Sequence, residues 1–125
     1  MSKLGIFMAD GCEEIEGLTV VDLVRRAGIE IEMISVSGND MVTGSHKIAF
    51  RTDVKKADAD YASYDGIVLP GGMPGTTHLM EDETVNRVIR EFAESGKLVA
   101  AICAAPSVFG DLGILKGKEA VCYPG

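Results

Sequence analysis

The feature that most constrains the fold of this chain is a regular alternation of two periodicities. Short apolar runs rich in Ile and Val fall at residues 4–9, 30–36, 66–70, 98–103 and 119–123. Continuous apolar runs of this length are expected of strands covered on both faces. Helix signals lie between them. Residues 15–27 are amphipathic and stop at Gly28, which suits the left-handed turn after a helix. Val85, Val88, Ile89, Phe92 and Ala93 share one helical face, and Gly96 ends that segment. Residues 105–112 read as a shorter third helix, with Pro106 accommodated in its first turn. This rhythm predicts an α/β fold, with a mostly parallel sheet and helices on both faces. The expected strand order is the flavodoxin-like 2-1-3-4-5. Residues 41–54 break the rhythm after the turn-like Ser37-Gly38-Asn39-Asp40, and predict an accessory β-hairpin.

The 125 residues form a single domain, 1–125, with room for one sizeable core. The sequence stops at Tyr123-Pro124-Gly125, straight after a predicted strand and with no helix to cover it. That ending is expected of part of a longer polypeptide. Against 19 acidic residues stand 12 basic ones, a formal net charge of −7. This balance argues against nucleic acid and anionic membrane surfaces as partners, because phosphate neutralisation needs clustered Lys and Arg. No apolar run approaches the ~18 residues of a membrane-spanning helix. Met1-Ser2-Lys3 leads into a short apolar run that reads as a first strand, not a signal peptide. A cytoplasmic location is expected, with Cys12, Cys103 and Cys122 as reduced thiols. Besides these there are only His46 and His78, and no metal-ligand spacing stands out.

Open α/β sheets carry their ligands at the carboxyl ends of the strands. Three features fall there: ADGCEEIEG after the first strand, LPGGMPG after the third and Cys103 after the fourth. In the predicted order those strands are neighbours, so the three features meet at one mouth. A cysteine between strand and helix is exposed by the sharp turn, as in the nucleophile elbow of hydrolases. Backbone N–H groups at the helix start also favour its thiolate. Ala101, Ala104 and Ala105 leave space around the sulfur. Gly71-Gly72 lets the backbone pass close by, and with Ala104 offers amide donors for an oxyanion. One of Glu13, Glu14 and Glu16 can meet the thiolate. Two adjacent anions are unfavourable, so that glutamate is expected to hold a proton and act as acid and base. Plainer readings apply to the rest. Cys122 reads as apolar filler, and Cys12 more as filler than as a resolving thiol. The histidines read as surface residues, with a Cys103–His78 dyad as a minor alternative. GxGxxG is absent, so dinucleotide binding has no motif behind it.

Taken together, EEIEG…VVDLVRRAG, DGIVLPGG and LVAAICAAP closely resemble the ThiJ/PfpI superfamily. They are most similar to its branch of the parkinsonism-associated deglycase and bacterial relatives. The resemblance runs over nearly the whole chain. It implies a flavodoxin-like sandwich, usually a homodimer, and a chain that continues past residue 125 with a further strand and helix. Position by position, it implies that Cys103 is the nucleophilic and redox-sensing cysteine and that Glu16 hydrogen-bonds to it. Gly72 and Ala104 match the backbone donors. Asp22 and Arg26 match a polar pair of the first helix. His46 stands where some relatives carry an arginine that reaches the partner subunit's site. Two departures matter. The protease branch has histidine directly after the cysteine, where this chain has Ala104, which argues against a cysteine hydrolase or protease. Some deglycase relatives have histidine where Tyr123 stands, which leaves base work to Glu16 and makes Tyr123 a hydrogen-bond donor at most.

The activity implied is glyoxalase III or deglycase chemistry. Methylglyoxal, glyoxal or their early protein adducts would become hydroxy acids, with no cofactor. The alternative is a cysteine-based sensor of oxidative stress, or a redox-regulated chaperone. Expected partners are a small aldehyde or a glycated protein, a second copy of the chain, and a separate C-terminal piece if the polypeptide is cut.

Overall fold

The computed structural model describes residues 2–103, together with Ala105 and Val108. Ala104, Cys122 and Tyr123 lie outside the described residues, as do most of the predicted third helix and the whole predicted strand at 119–123. The described elements are β1 (Lys3–Met8), α1 (Glu14–Arg26), β2 (Glu30–Ser35), β3 (Met41–Thr43), β4 (Ala49–Arg51), β5 (Val54–Lys55), β6 (Gly66–Leu69), α2 (Gly75–Glu81), α3 (Glu83–Glu94) and β7 (Leu98–Ala101).

The main sheet has the order β5-β2-β1-β6-β7, and all its pairs are parallel. Its long strands therefore run 2-1-3-4, as predicted. β1 meets β2 over its whole length, from Lys3 opposite Glu30 to Met8 opposite Ser35. Gly66 sits opposite both Leu4 and Leu98, which aligns β6 with its two neighbours. This register brings the carboxyl ends of β1, β6 and β7 side by side.

Alternation along each strand divides the core in two. Phe7, Ile34, Ile67 and Leu69 pack beneath α2 and α3, against Leu79, Val85, Val88, Ile89 and Phe92. Ile6, Met8, Ile31, Met33 and Val68 face the other way, against Val21 of α1 and Val42 of β3. Helices thus cover both faces, and the buried strands need no polar side.

Residues 41–54 depart from the expected hairpin. β3 and β4 pair antiparallel, Met41 with Arg51, but the segment's last residue belongs elsewhere. Val54 opens β5, which joins the edge of the main sheet beside Ile34 of β2. Asp53 fixes this crossing: its carboxylate accepts from the Met33 N–H at 2.8 Å and from the Arg25 guanidinium at 2.9 Å. The fourth long strand is also shorter than expected. It ends at Ala101, so Cys103 stands in the turn beyond it.

Candidate active site

Cys103 has a φ of 55°, in the left-handed region that non-glycine residues rarely occupy. The Ile102 N–H still follows the sheet, donating to the Leu69 carbonyl at 3.2 Å. The Ala105 N–H then donates back to the Ile102 carbonyl at 2.9 Å, closing a tight turn around the cysteine. Backbone strain of this kind persists only where the surrounding structure over-determines it, and it gathers at functional sites. The side chain is part-exposed.

Gly71 explains how a glutamate reaches this turn. A Cβ there would lie 2.8 Å from the Cys103 Cβ, 2.8 Å from Glu16 Oε1 and 2.9 Å from the Ile102 carbonyl oxygen. Only glycine lets the cysteine turn and the glutamate approach the same point. Glu16 sits in the first turn of α1, and its Oε1 accepts from the Gly71 N–H at 2.8 Å. That bond bears on one expectation. In this structure the Gly71 amide, one of the oxyanion donors that the glycine pair implied, is engaged by Glu16. Gly72, at φ +91°, has the Glu13 N–H where a Cβ would stand, at 2.3 Å. The Glu13 N–H donates to the Gly71 carbonyl at 2.9 Å, so the two loops are stitched together. The second oxyanion donor inferred from the sequence, Ala104, lies outside the described residues, as does Tyr123.

The three glutamates separate into distinct roles. Of the three, Glu16 is the one whose carboxyl hydrogen-bonds to the glycine loop. Glu14 turns the other way and is buried, with 4% exposure. Its Oε2 accepts from the His46 and Ile48 N–H groups at 2.9 and 3.1 Å. Burial works against charge on Glu14, but hydrogen bonds from its own backbone, from Ile48 and from His46 outweigh it and leave the carboxyl below its usual range. Glu13 pairs with His46, Oε1 to Nδ1, at 3.1 Å. The hydrogen bond to Glu14, then the charge of Glu13, raise the His46 imidazole above its ordinary value. His46 therefore belongs to the Glu13–Glu14 cluster at the start of α1.

The remaining thiol and histidine go elsewhere. Cys12 is buried, and burial followed by the Glu14 charge pushes its pKa up to about 12. It is apolar filler, as the plain reading expected. His78 Nδ1 lies 2.7 Å from the Asp10 carbonyl oxygen. His78 lines a cleft of about 340 Å³ with Asp10, Ser37 and Glu81. Asp22 and Arg26 form an exposed pair along α1, at 3.0 Å. Among the described residues, no helix is long and apolar enough to cross a membrane.

Comparison with known proteins adds to this geometry. The model of the DJ-1/PfpI family matches residues 2–125. Protein dj-1beta of Drosophila melanogaster is 35% identical over 125 residues, which are 99% of this chain and 67% of that protein. The Parkinson disease protein 7 homolog of Danio rerio is 34% identical over 96% of this chain and 64% of its own length. The chain thus spans about two thirds of these relatives. Among solved structures, oxidized Toxoplasma gondii DJ-1 superposes with a TM-score of 0.95 at 34% identity, over 99% of this chain and 68% of that one.

Proposed function

The chain belongs to the DJ-1/PfpI family, and we propose that it converts reactive 2-oxoaldehydes, or their early adducts on proteins, to 2-hydroxy acids, with Cys103 as nucleophile and Glu16 as acid and base. The observation that carries this reading is the packing of Gly71 between the Cys103 turn and the Glu16 carboxyl.

In this reaction the Cys103 sulfur attacks the aldehyde carbon and forms a C–S bond, and the carbonyl oxygen becomes a hydroxyl. Glu16 removes the hydrogen on that carbon as a proton, giving an enediol, and returns it to the neighbouring carbon. The product is a thioester of the 2-hydroxy acid. Water breaks its C–S bond, which releases the acid and restores the thiol. One water is consumed and no net oxidation occurs. In this reading the N–H groups of Gly72 and Ala104 hold the oxyanion.

The test is lactate formation from methylglyoxal without glutathione. Cys103→Ser and Glu16→Gln are each expected to reduce it by at least about a hundredfold, in line with loss of a nucleophile or a general base. Turnover that survives Cys103→Ser sinks the reading.

A second reading, an oxidation sensor, is favoured by the contrast between two thiols: Cys103 is part-exposed in a strained turn, while Cys12 is buried. The related Toxoplasma protein was solved in an oxidized form. Selective oxidation of Cys103 by mild peroxide, without aldehyde turnover, would support the sensor over the enzyme.

A further inference from the structure

Gly72 joins two peptide planes of the glycine loop at a φ of +91°. Glycine moves freely among such conformations, so both planes have to be held from outside the residue. The Gly71–Gly72 plane is held at its carbonyl, which accepts from the Glu13 N–H at 2.9 Å. This peptide is trans, so the Gly72 N–H points the opposite way, away from the Glu13 N–H. Gly72 is part-exposed, and among the described residues no hydrogen bond takes up that N–H.

The Gly72–Met73 plane is held by one residue. The Gly72 carbonyl accepts twice from Thr76, from its N–H at 2.9 Å and from its hydroxyl at 2.8 Å. The N–H bond comes with the first turn of α2, whatever side chain stands at position 76. The hydroxyl bond depends on the side chain. Thr76 is buried, with 2% exposure, and a valine of the same shape would fill that space without a polar atom. Threonine hydroxyls often bond the carbonyl four residues back. Here that carbonyl belongs to the residue whose N–H is the candidate oxyanion donor. A carbonyl with both lone pairs engaged resists rotation more than one held by a single donor. The two planes meet at the Gly72 Cα, so a rotation of its carbonyl is passed to its N–H.

We propose that Thr76 is a positioning residue, whose hydroxyl locks the Gly72 peptide so that the Gly72 N–H keeps the direction in which it donates to an anion. The inference rests on the aldehyde reaction proposed above, in which that N–H holds the oxyanion. Such a donor is effective when its direction is set before the charge develops. Thr76 acts through Gly72 and not on the reacting atoms.

The test pairs lactate formation from methylglyoxal with the residual dipolar coupling of the Gly72 N–H, both measured on the full chain. Thr76→Val removes the hydroxyl and keeps the shape. It is expected to lower kcat about tenfold and leave KM within about twofold, the pattern of an interaction made in the transition state. The Gly72 coupling is expected to change, while those of β1 and β6 stay in place. Thr76→Ser keeps the hydroxyl and is expected to retain the Gly72 coupling, with kcat within about threefold of the parent chain. A merely structural Thr76 would lower the melting temperature of Thr76→Val and move neither kcat nor the coupling. An unchanged Gly72 coupling in Thr76→Val, an unchanged kcat, or a tenfold loss in Thr76→Ser would each overturn the proposal. A parent chain that forms no lactate would sink the aldehyde reading instead, and the coupling still decides whether Thr76 orients Gly72.

Discussion

At the residue scale, the central contrast is between two cysteines of one chain. Cys103 occupies a left-handed turn beside Gly71, and Cys12 lies under the glycine loop with a pKa of about 12. Thiolates, not thiols, react with alkylating agents. Iodoacetamide at pH 8 is therefore expected to label Cys103 and to leave Cys12 unlabelled until the protein is unfolded. Peptide mass spectrometry reads this directly, and prior labelling of Cys12 in the folded protein would contradict it. The position of Cys103 in a turn after a strand was legible in the sequence because the apolar run ends there and small residues follow. The choice among the three glutamates was not legible from the residues alone. Glu13, Glu14 and Glu16 differ only in which way one helical turn points them, and the resemblance, not the spacing, singled out Glu16. The partners of His46 were invisible for a different reason. They depend on the hairpin folding back over α1, which no local pattern encodes.

At the element scale, legibility followed the strength of the periodic signal. α3 buries Val85, Val88, Ile89 and Phe92 on one face, and the sequence shows that stripe plainly. α2 was missed. Its seven residues, GTTHLME, bury one large apolar side chain, Leu79, and contain glycine and two threonines, which are weak helix formers. Tertiary contacts form it, with Gly75 packed on the Cys12 backbone. β5 is two residues long and carries no pattern of its own. Between α2 and α3 stands Asp82, whose Oδ1 accepts from the Val85 N–H at 3.0 Å and caps α3. Its carboxylate also pairs with Lys56, which ties the loop after β5 to the helix start. Asp82→Ala is expected to cost about 1–2 kcal/mol, the usual loss for an N-cap. By thermal unfolding that is about 4–8 °C. Asp82→Asn keeps the cap and gives up the charge, so it should lose less. Equal losses would assign the stability to the ion pair with Lys56 instead.

At the scale of the whole molecule, the net charge of −7 and the divided core meet in the protein's response to alkali. Among the described residues, three acidic groups have their neutral forms favoured by the fold. Burial, then the Glu14 charge, raises Cys12 from 9.0 to about 12. Burial raises Tyr61 from 10.0 to about 12. Burial, and then the hydrogen bond its hydroxyl donates to Glu32 at 2.8 Å, raises Tyr64 well above 10.0. The sign follows from linkage. Each group is protonated in the native state and releases its proton more readily when unfolded. Its contribution is complete below the unfolded pKa and is lost as pH rises through the folded one. Stability should therefore hold up to about pH 9 and fall steadily from there towards pH 12. Urea unfolding of Tyr64→Phe separates the contributions. The variant removes one titrating group from the core, so its midpoint should fall less between pH 9 and 11 than that of the parent chain. Parallel declines would mean that Tyr64 carries none of the alkaline sensitivity, and a flat profile in both chains would remove the linkage argument altogether.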